Sequence, residues 1–118
     1  IFATGLEVYE AMLASQKLEA EGISAEVINI HTLKPIDEEL IVKSLSKTKK
    51  GVTVEEHSVI GGLYSAVSEV TAKKLPTKLM AIGIEDVFGH SGPAKELIKE
   101  FGLDADGIYE KVKAFVKE

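Results

Sequence analysis

The densest group of side chains able to do chemistry in this sequence of 118 residues is the segment Val54-Glu55-Glu56-His57-Ser58-Val59-Ile60-Gly61-Gly62. Two carboxylates and an imidazole stand side by side and run into a glycine pair. A carboxylate beside a histidine tunes the ring's proton affinity near neutrality, which general acid–base catalysis needs. Glycines that open a helix also let its free N–H groups close on an anion. A plainer reading stands beside both. Glu55 or Glu56 accepts hydrogen bonds from those N–H groups or pairs with a lysine, and Gly61 and Gly62 serve a tight turn or close packing. Neighbouring residues at a strand end point to opposite sides, so Glu55 and Glu56 do not easily share one pocket. The segment has no Walker pattern, no G-x-G-x-x-G and no cation, so its signal for phosphate is weak.

A second group, Asp86-Val87-Phe88-Gly89-His90-Ser91-Gly92-Pro93, is glycine-rich and leads into a helix. It offers another anion site, but Phe88 filling an apolar pocket and Ser91 shaping the helix start account for it as well. Ser91 lacks the G-x-S-x-G setting of a nucleophile elbow. His31, His57 and His90 are far apart and share no metal-ligand spacing, so no metal site is expected. Lys and Arg number 14 against 19 Asp and Glu, for a net charge of −5, and every cation is Lys. An acidic chain without Arg is a poor match for nucleic acid. With no Cys there is no disulfide framework and no thiolate chemistry. The longest apolar run, Leu79 to Ile84, falls far short of a bilayer span. A cytoplasmic protein that binds neither nucleic acid nor membrane is the expectation.

The elements that must position these groups alternate. Apolar Ile1–Thr4 precedes a helix over about Leu6 to Ala20, which Gly22 stops. Ala25–Ile30 is short and β-branched, hence a strand. Asp37 is an N-cap, with Ile36 and Ile41 at the spacing of a hydrophobic staple, for a helix to about Lys47. Gly51–Glu55 is a strand, Leu63 to about Lys74 a helix, and Lys78–Ile82 a strand. Pro93 starts a helix that Gly102 ends. Asp104 caps the last helix, with Leu103 and Ile108 as a second staple. This order predicts βαβ units in one domain over residues 1–118: a three-layer α/β/α fold with a mainly parallel sheet of about four strands. Chemistry in such a fold sits at the carboxyl ends of the strands.

Two helices carry more apolar surface than a sheet contact needs. In the first, Val8, Ala11, Met12 and Ser15 form one face, with Leu6, Tyr9 and Leu13 nearly opposite; one stripe is expected on the sheet and the other against a neighbour. In the helix after Gly62, Leu63, Ala66, Val67 and Val70 face the sheet. The other side holds Tyr64, Ser65, Ser68 and Thr71, with Glu69 the only charge before Lys73. So little charge suggests a contact surface; an ordinary helix face with a few hydroxyls is the alternative.

Four motifs in order resemble one family. IFATGLEVYEA at the start, AEVINIHTLKPID from Ala25, VTVEEH followed by IGGL and SAV from Val52, and DVFGHSG with FGL towards the end resemble the transketolase C-terminal domain, most closely the split, two-subunit type. Tyr64 stands where glycine is usual. The resemblance implies a thiamine-diphosphate enzyme that transfers a two-carbon ketol unit between sugar phosphates in the pentose phosphate pathway. Deoxyxylulose phosphate synthase and the 2-oxo acid dehydrogenase β subunit are the alternatives within the superfamily. A stand-alone module for a small anion or a regulator is the alternative outside it. In this family thiamine diphosphate and its divalent metal lie between two other domains. The resemblance therefore implies no catalytic, cofactor-binding or metal-binding residue here. It implies a structural domain that partners the remaining transketolase domains or subunit in a homo-oligomer, such as a dimer. Glu55, Glu56, His57, Gly61, Gly62, Tyr64, Ser65 and Ser68 are the interface and loop candidates. It also implies a piece of a longer polypeptide, with an antiparallel fifth strand before Ile1 and, in its absence, an open hydrophobic sheet edge.

Overall fold

The computed structural model describes residues 1–5, 7–31, 36–58, 62–84 and 102–118. Strand β1 (Phe2–Ala3) leads into α1 (Glu7–Glu19), β2 (Ile28–Asn29), α2 (Glu38–Thr48), β3 (Lys50–Ser58), α3 (Leu63–Lys74), β4 (Lys78–Ile84) and a C-terminal helix, α4 (Ala105–Val116). The four strands form one sheet in the order β2-β1-β3-β4, and every neighbouring pair is parallel. The chain steps outward from β1 to β2, crosses back over β1 to β3, and continues to β4. That reversal places helices on both faces of the sheet. Helices α1 and α4 enclose one core with Ala3, Val52, Val54 and Ile82. Helices α2 and α3 enclose the other with Phe2, Ile28 and Ile30. The three-layer α/β/α fold and the four-stranded parallel sheet are as expected.

Local signals explain most helix ends. The Asp37 carboxylate accepts from Leu40 N at 3.1 Å, and Ile36 and Ile41 join the same cluster, as a staple requires. Asp104 accepts from Gly107 N at 2.9 Å, and Leu103 and Ile108 are both fully buried. Helix α3 has the predicted bounds. Two further caps come from distant sequence. Glu10 of α1 accepts from Ala105 N at the start of α4. Lys50 at the head of β3 donates to the carbonyls of Phe115, Val116 and Glu118 at its end. A cation at a helix C-terminus also complements the helix dipole.

Three expectations need correction. In α1 the buried positions are Glu7, Ala11, Ala14 and Leu18, so neither of the two expected stripes packs inward as a whole. The small alanines let α1 sit close on the sheet, so bulky Met12 is turned outward, 49% exposed beside Tyr9 at 66%. In α3, Thr71 is buried with the apolar stripe, and its hydroxyl donates to Ser68 O. Strand β2 is two residues long where Ala25–Ile30 was expected, because β1 offers partners only for Ile28 and Asn29. The helix expected from Pro93, and the loop with Phe88, His90 and Ser91, lie outside the described residues. Among the described residues, no helix is long and apolar enough to cross a membrane.

Candidate functional site

The segment richest in chemistry reaches the carboxyl end of the sheet as the second half of β3. Val54 pairs with Ile82, and the next registered pair is Ser58 with Ile84. Four steps along β3 therefore match two along β4, so strict alternation is lost across Glu55, Glu56 and His57. Irregularities of this kind re-aim side chains. Glu55 is 2% exposed. Its two carboxylate oxygens accept from Leu63 N at 2.9 Å and Tyr64 N at 3.1 Å.

The physical reason lies in the sequence of the helix start. The N-cap of α3 is Gly62, which has no side chain to offer the first free N–H groups. A buried donor without a partner costs about 1–3 kcal/mol. A carboxylate lent by β3 satisfies two donors at once and sets a negative charge at the positive end of the helix. The plainer of the readings for this segment is thus the one Glu55 adopts. It unites Glu55, Gly62 and Tyr64 in one arrangement. Glu56 and His57 continue β3, and their side chains, with any acid–base pairing between them, lie outside the described parts of the molecule. Gly61 lies outside the described residues.

A crevice of about 420 Å³ opens here, lined by Thr4, Gly5, Asn29, His31, Glu55 and Gly62 among others. It sits where the winding of the chain reverses between β1 and β3, the usual place for a ligand in an open α/β sheet. Among its described lining residues stands the Glu55 carboxylate and no Lys, which disfavours an anion, and the other helix starts are acidic too. Helix α1 begins with Glu7, which is fully buried. Helix α2 begins with its Asp37 cap followed by Glu38 and Glu39, and α3 begins on Glu55. Each of these three helix starts is already furnished with the protein's own carboxylates. Among the described residues, no group of three His, Cys, Asp or Glu side chains could hold a metal ion.

The outer side of α3 is half-buried at Tyr64, Ser65 and Ser68. The Ser68 hydroxyl donates to Tyr64 O at 2.7 Å, and the Thr71 hydroxyl to Ser68 O at 3.0 Å. These hydroxyls are turned onto their own helix backbone, so the face is drier than its composition suggests. Sequence reasoning missed Glu7 as a buried group. The fully buried Ala11, Ala14 and Leu18 at i, i+3 and i+7 were the signal that the face of Glu7, four residues before Ala11, packs inward.

The comparisons with known proteins agree with one another. Residues 1–108 match the family described as transketolase, C-terminal domain. A transketolase C-terminal section from Methanocaldococcus jannaschii is 51% identical over 119 residues, covering 100% of this chain and 37% of that protein. The 6-deoxy-6-sulfo-D-fructose transketolase subunit SqwH of Clostridium sp. (strain MSTE9) is 47% identical over 92% of this chain and 34% of its own length. A 1-deoxy-D-xylulose-5-phosphate synthase from Chlorobium luteolum is 42% identical over 99% of this chain and 19% of its own length. A solved split-gene transketolase, described as an inactive β4 tetramer, superposes with a TM-score of 0.89 at 44% identity, over 96% of this chain and 37% of that one. The chain therefore spans little more than a third of the transketolase relatives and about a fifth of the synthase.

Proposed function

The chain belongs to the transketolase C-terminal domain family, and from that premise we propose that it is the assembly domain of a longer or multi-subunit transketolase. The intact enzyme transfers a two-carbon ketol unit between sugar phosphates in the cytoplasm, within the pentose phosphate pathway, and carries thiamine diphosphate and a divalent metal. This domain holds neither. Its residues do not favour a diphosphate, because the described lining of the crevice carries the Glu55 carboxylate and no Lys. The single observation behind a structural role is the use made of Glu55. The buried carboxylate in the segment richest in chemistry binds two backbone N–H groups of its own fold.

The domain works by packing against the remaining domains or the partner subunit, in a homo-oligomer such as a dimer. Candidate contacts are Tyr64, Ser65 and Ser68 on α3, with the loop from Glu55 to Gly62, and Tyr9 with Met12 on α1. The solved relative described as an inactive tetramer of β chains supports the view that this part of the enzyme needs a complementary subunit. Activity assays of the purified chain, alone and mixed with the missing transketolase domains or subunit, test the reading. No ketol transfer by the chain alone and transfer on mixing support it; transfer by the chain alone overturns it.

A further inference from the structure

Asp106 is the only Asp or Asn of this sequence that is followed by glycine. It stands with Gly107 in the first turn of α4. Packing demands both residues. A Cβ on Gly107 would lie 2.6 Å from the Cα, carbonyl carbon and oxygen of Gly102, so no larger residue fits there. Asp106 sets a negative charge at the positive end of the helix, and its carboxylate pairs with Lys17 of α1.

The pair has a chemistry of its own. Glycine carries no Cβ to shield its amide nitrogen from the preceding side chain. That nitrogen can bond to the Asp106 side-chain carboxyl carbon, losing its proton while a carboxyl oxygen leaves as water. The product is a five-membered succinimide. Water then opens the ring. Attack at the former side-chain carbonyl restores aspartate. Attack at the former backbone carbonyl breaks the original peptide bond and leaves isoaspartate. One water is lost and one regained, and no oxidant or co-reactant is needed. The Asp106 side chain is 73% exposed, so water reaches it.

The folded chain opposes each requirement of ring closure. The attacking nitrogen is engaged, because Gly107 N donates to the Asp104 carboxylate at 2.9 Å. The peptides around it are tied as well. Ala105 N donates to the Glu10 carboxylate at 2.9 Å, and Ile108 N to Asp104 O at 2.9 Å. Lys17 draws the Asp106 carboxylate towards α1 and is itself placed by the Tyr109 ring, whose centroid lies 5.7 Å from its ammonium. Finally, ring closure must carry the side-chain carbon round onto Gly107 N, which takes the Asp106 backbone out of its helical conformation.

We propose that Asp106–Gly107 is a site of succinimide formation and isoaspartate accumulation, held closed by the capped first turn of α4 and opened when that turn frays. The product has a defined effect on the fold. Isoaspartate routes the chain through the side-chain carbons and adds one atom to the backbone. The insertion falls between the Ala105 amide that Glu10 holds and the Gly107 amide that Asp104 holds. The two caps then lose their common register, and α4 loses the turn that seats Ile108 in the core it shares with α1.

The test stores the purified chain in native buffer and in urea, digests it, and follows the peptide that carries Asp106. Chromatography with electron-based fragmentation separates isoaspartate from aspartate at unchanged mass. Isoaspartate is expected at Asp106, forming about tenfold or more slowly in the folded chain than in the unfolded one. Folded Asp104→Ala, which frees the Gly107 nitrogen, should form it about fivefold faster than the folded parent. Lys17→Ala leaves every cap in place and should also be faster than the parent. Asp106→Glu, which would need a six-membered ring, should form none and so fixes the assignment. No isoaspartate at Asp106 in the unfolded chain overturns the proposal, as do equal rates for the folded and unfolded chains. Rates for Asp104→Ala and Lys17→Ala no faster than the parent's, with cooperative unfolding retained, overturn it too. Should Asp104→Ala fail to fold, Lys17→Ala alone decides.

Discussion

Glu55 illustrates how a residue that looks catalytic is committed to structure. Its environment predicts the outcome of changing it. Glu55→Gln keeps one acceptor but turns an N–H donor towards a helix N–H, and about 1–3 kcal/mol of stability is lost. Chemical denaturation of the chain measures this. In the intact enzyme, turnover per folded molecule stays unchanged. The role of Glu55 was legible as one of several options, because a helix opening on Gly61-Gly62 lacks a side-chain acceptor of its own. The choice among them was not, because it depends on where β3 ends relative to α3.

Among the elements, those governed by neighbours in sequence were readable. Helices α2 and α4 begin at Asp37 and Asp104 with their staples, and α3 spans Leu63–Lys74 as its pattern indicates. What depends on other parts of the chain was not. Strand β2 is short for want of a partner, and α1 turns Met12 outward because Ala11 and Ala14 permit a close approach that volume-blind periodicity ignores. Gly107, in the first turn of α4, shows the same dependence. A Cβ there would stand 2.6 Å from the backbone of Gly102, which has φ of 70°. Backbone cannot rotate aside as a side chain can, so Gly107→Ala should destabilise the chain by about 1–3 kcal/mol. The midpoint of urea unfolding, with an unchanged slope, is the measure. Gly22→Ala is a useful contrast. That position has φ of 82° but open space around it, so only the backbone cost of about 1–2 kcal/mol applies.

For the molecule as a whole, the two cores differ in how they are closed. The α2–α3 core is built from Phe2 to Leu79. The α1–α4 core draws Leu103, Ile108, Val112 and Phe115 from the far end of the chain. Ending the chain at Leu103 leaves Ala11, Ala14, Leu18 and Val54 facing solvent. Far-ultraviolet circular dichroism of such a truncated form should show loss of cooperative unfolding, with dye binding to the exposed apolar surface. A truncated chain that melts cooperatively at the same temperature would contradict this account of the core.

The caps that hold α4 add a consequence in time. Lys50 binds carbonyls 65 to 68 positions later in the chain, and Glu10 binds an N–H 95 positions later. A ribosome releases the amino end of this domain first. The side of α1 that packs against α4 must therefore wait, uncovered, until the last dozen residues have left the exit tunnel. Synthesis of this domain thus has a vulnerable interval whose length is set by the time taken to translate the stretch between α1 and α4.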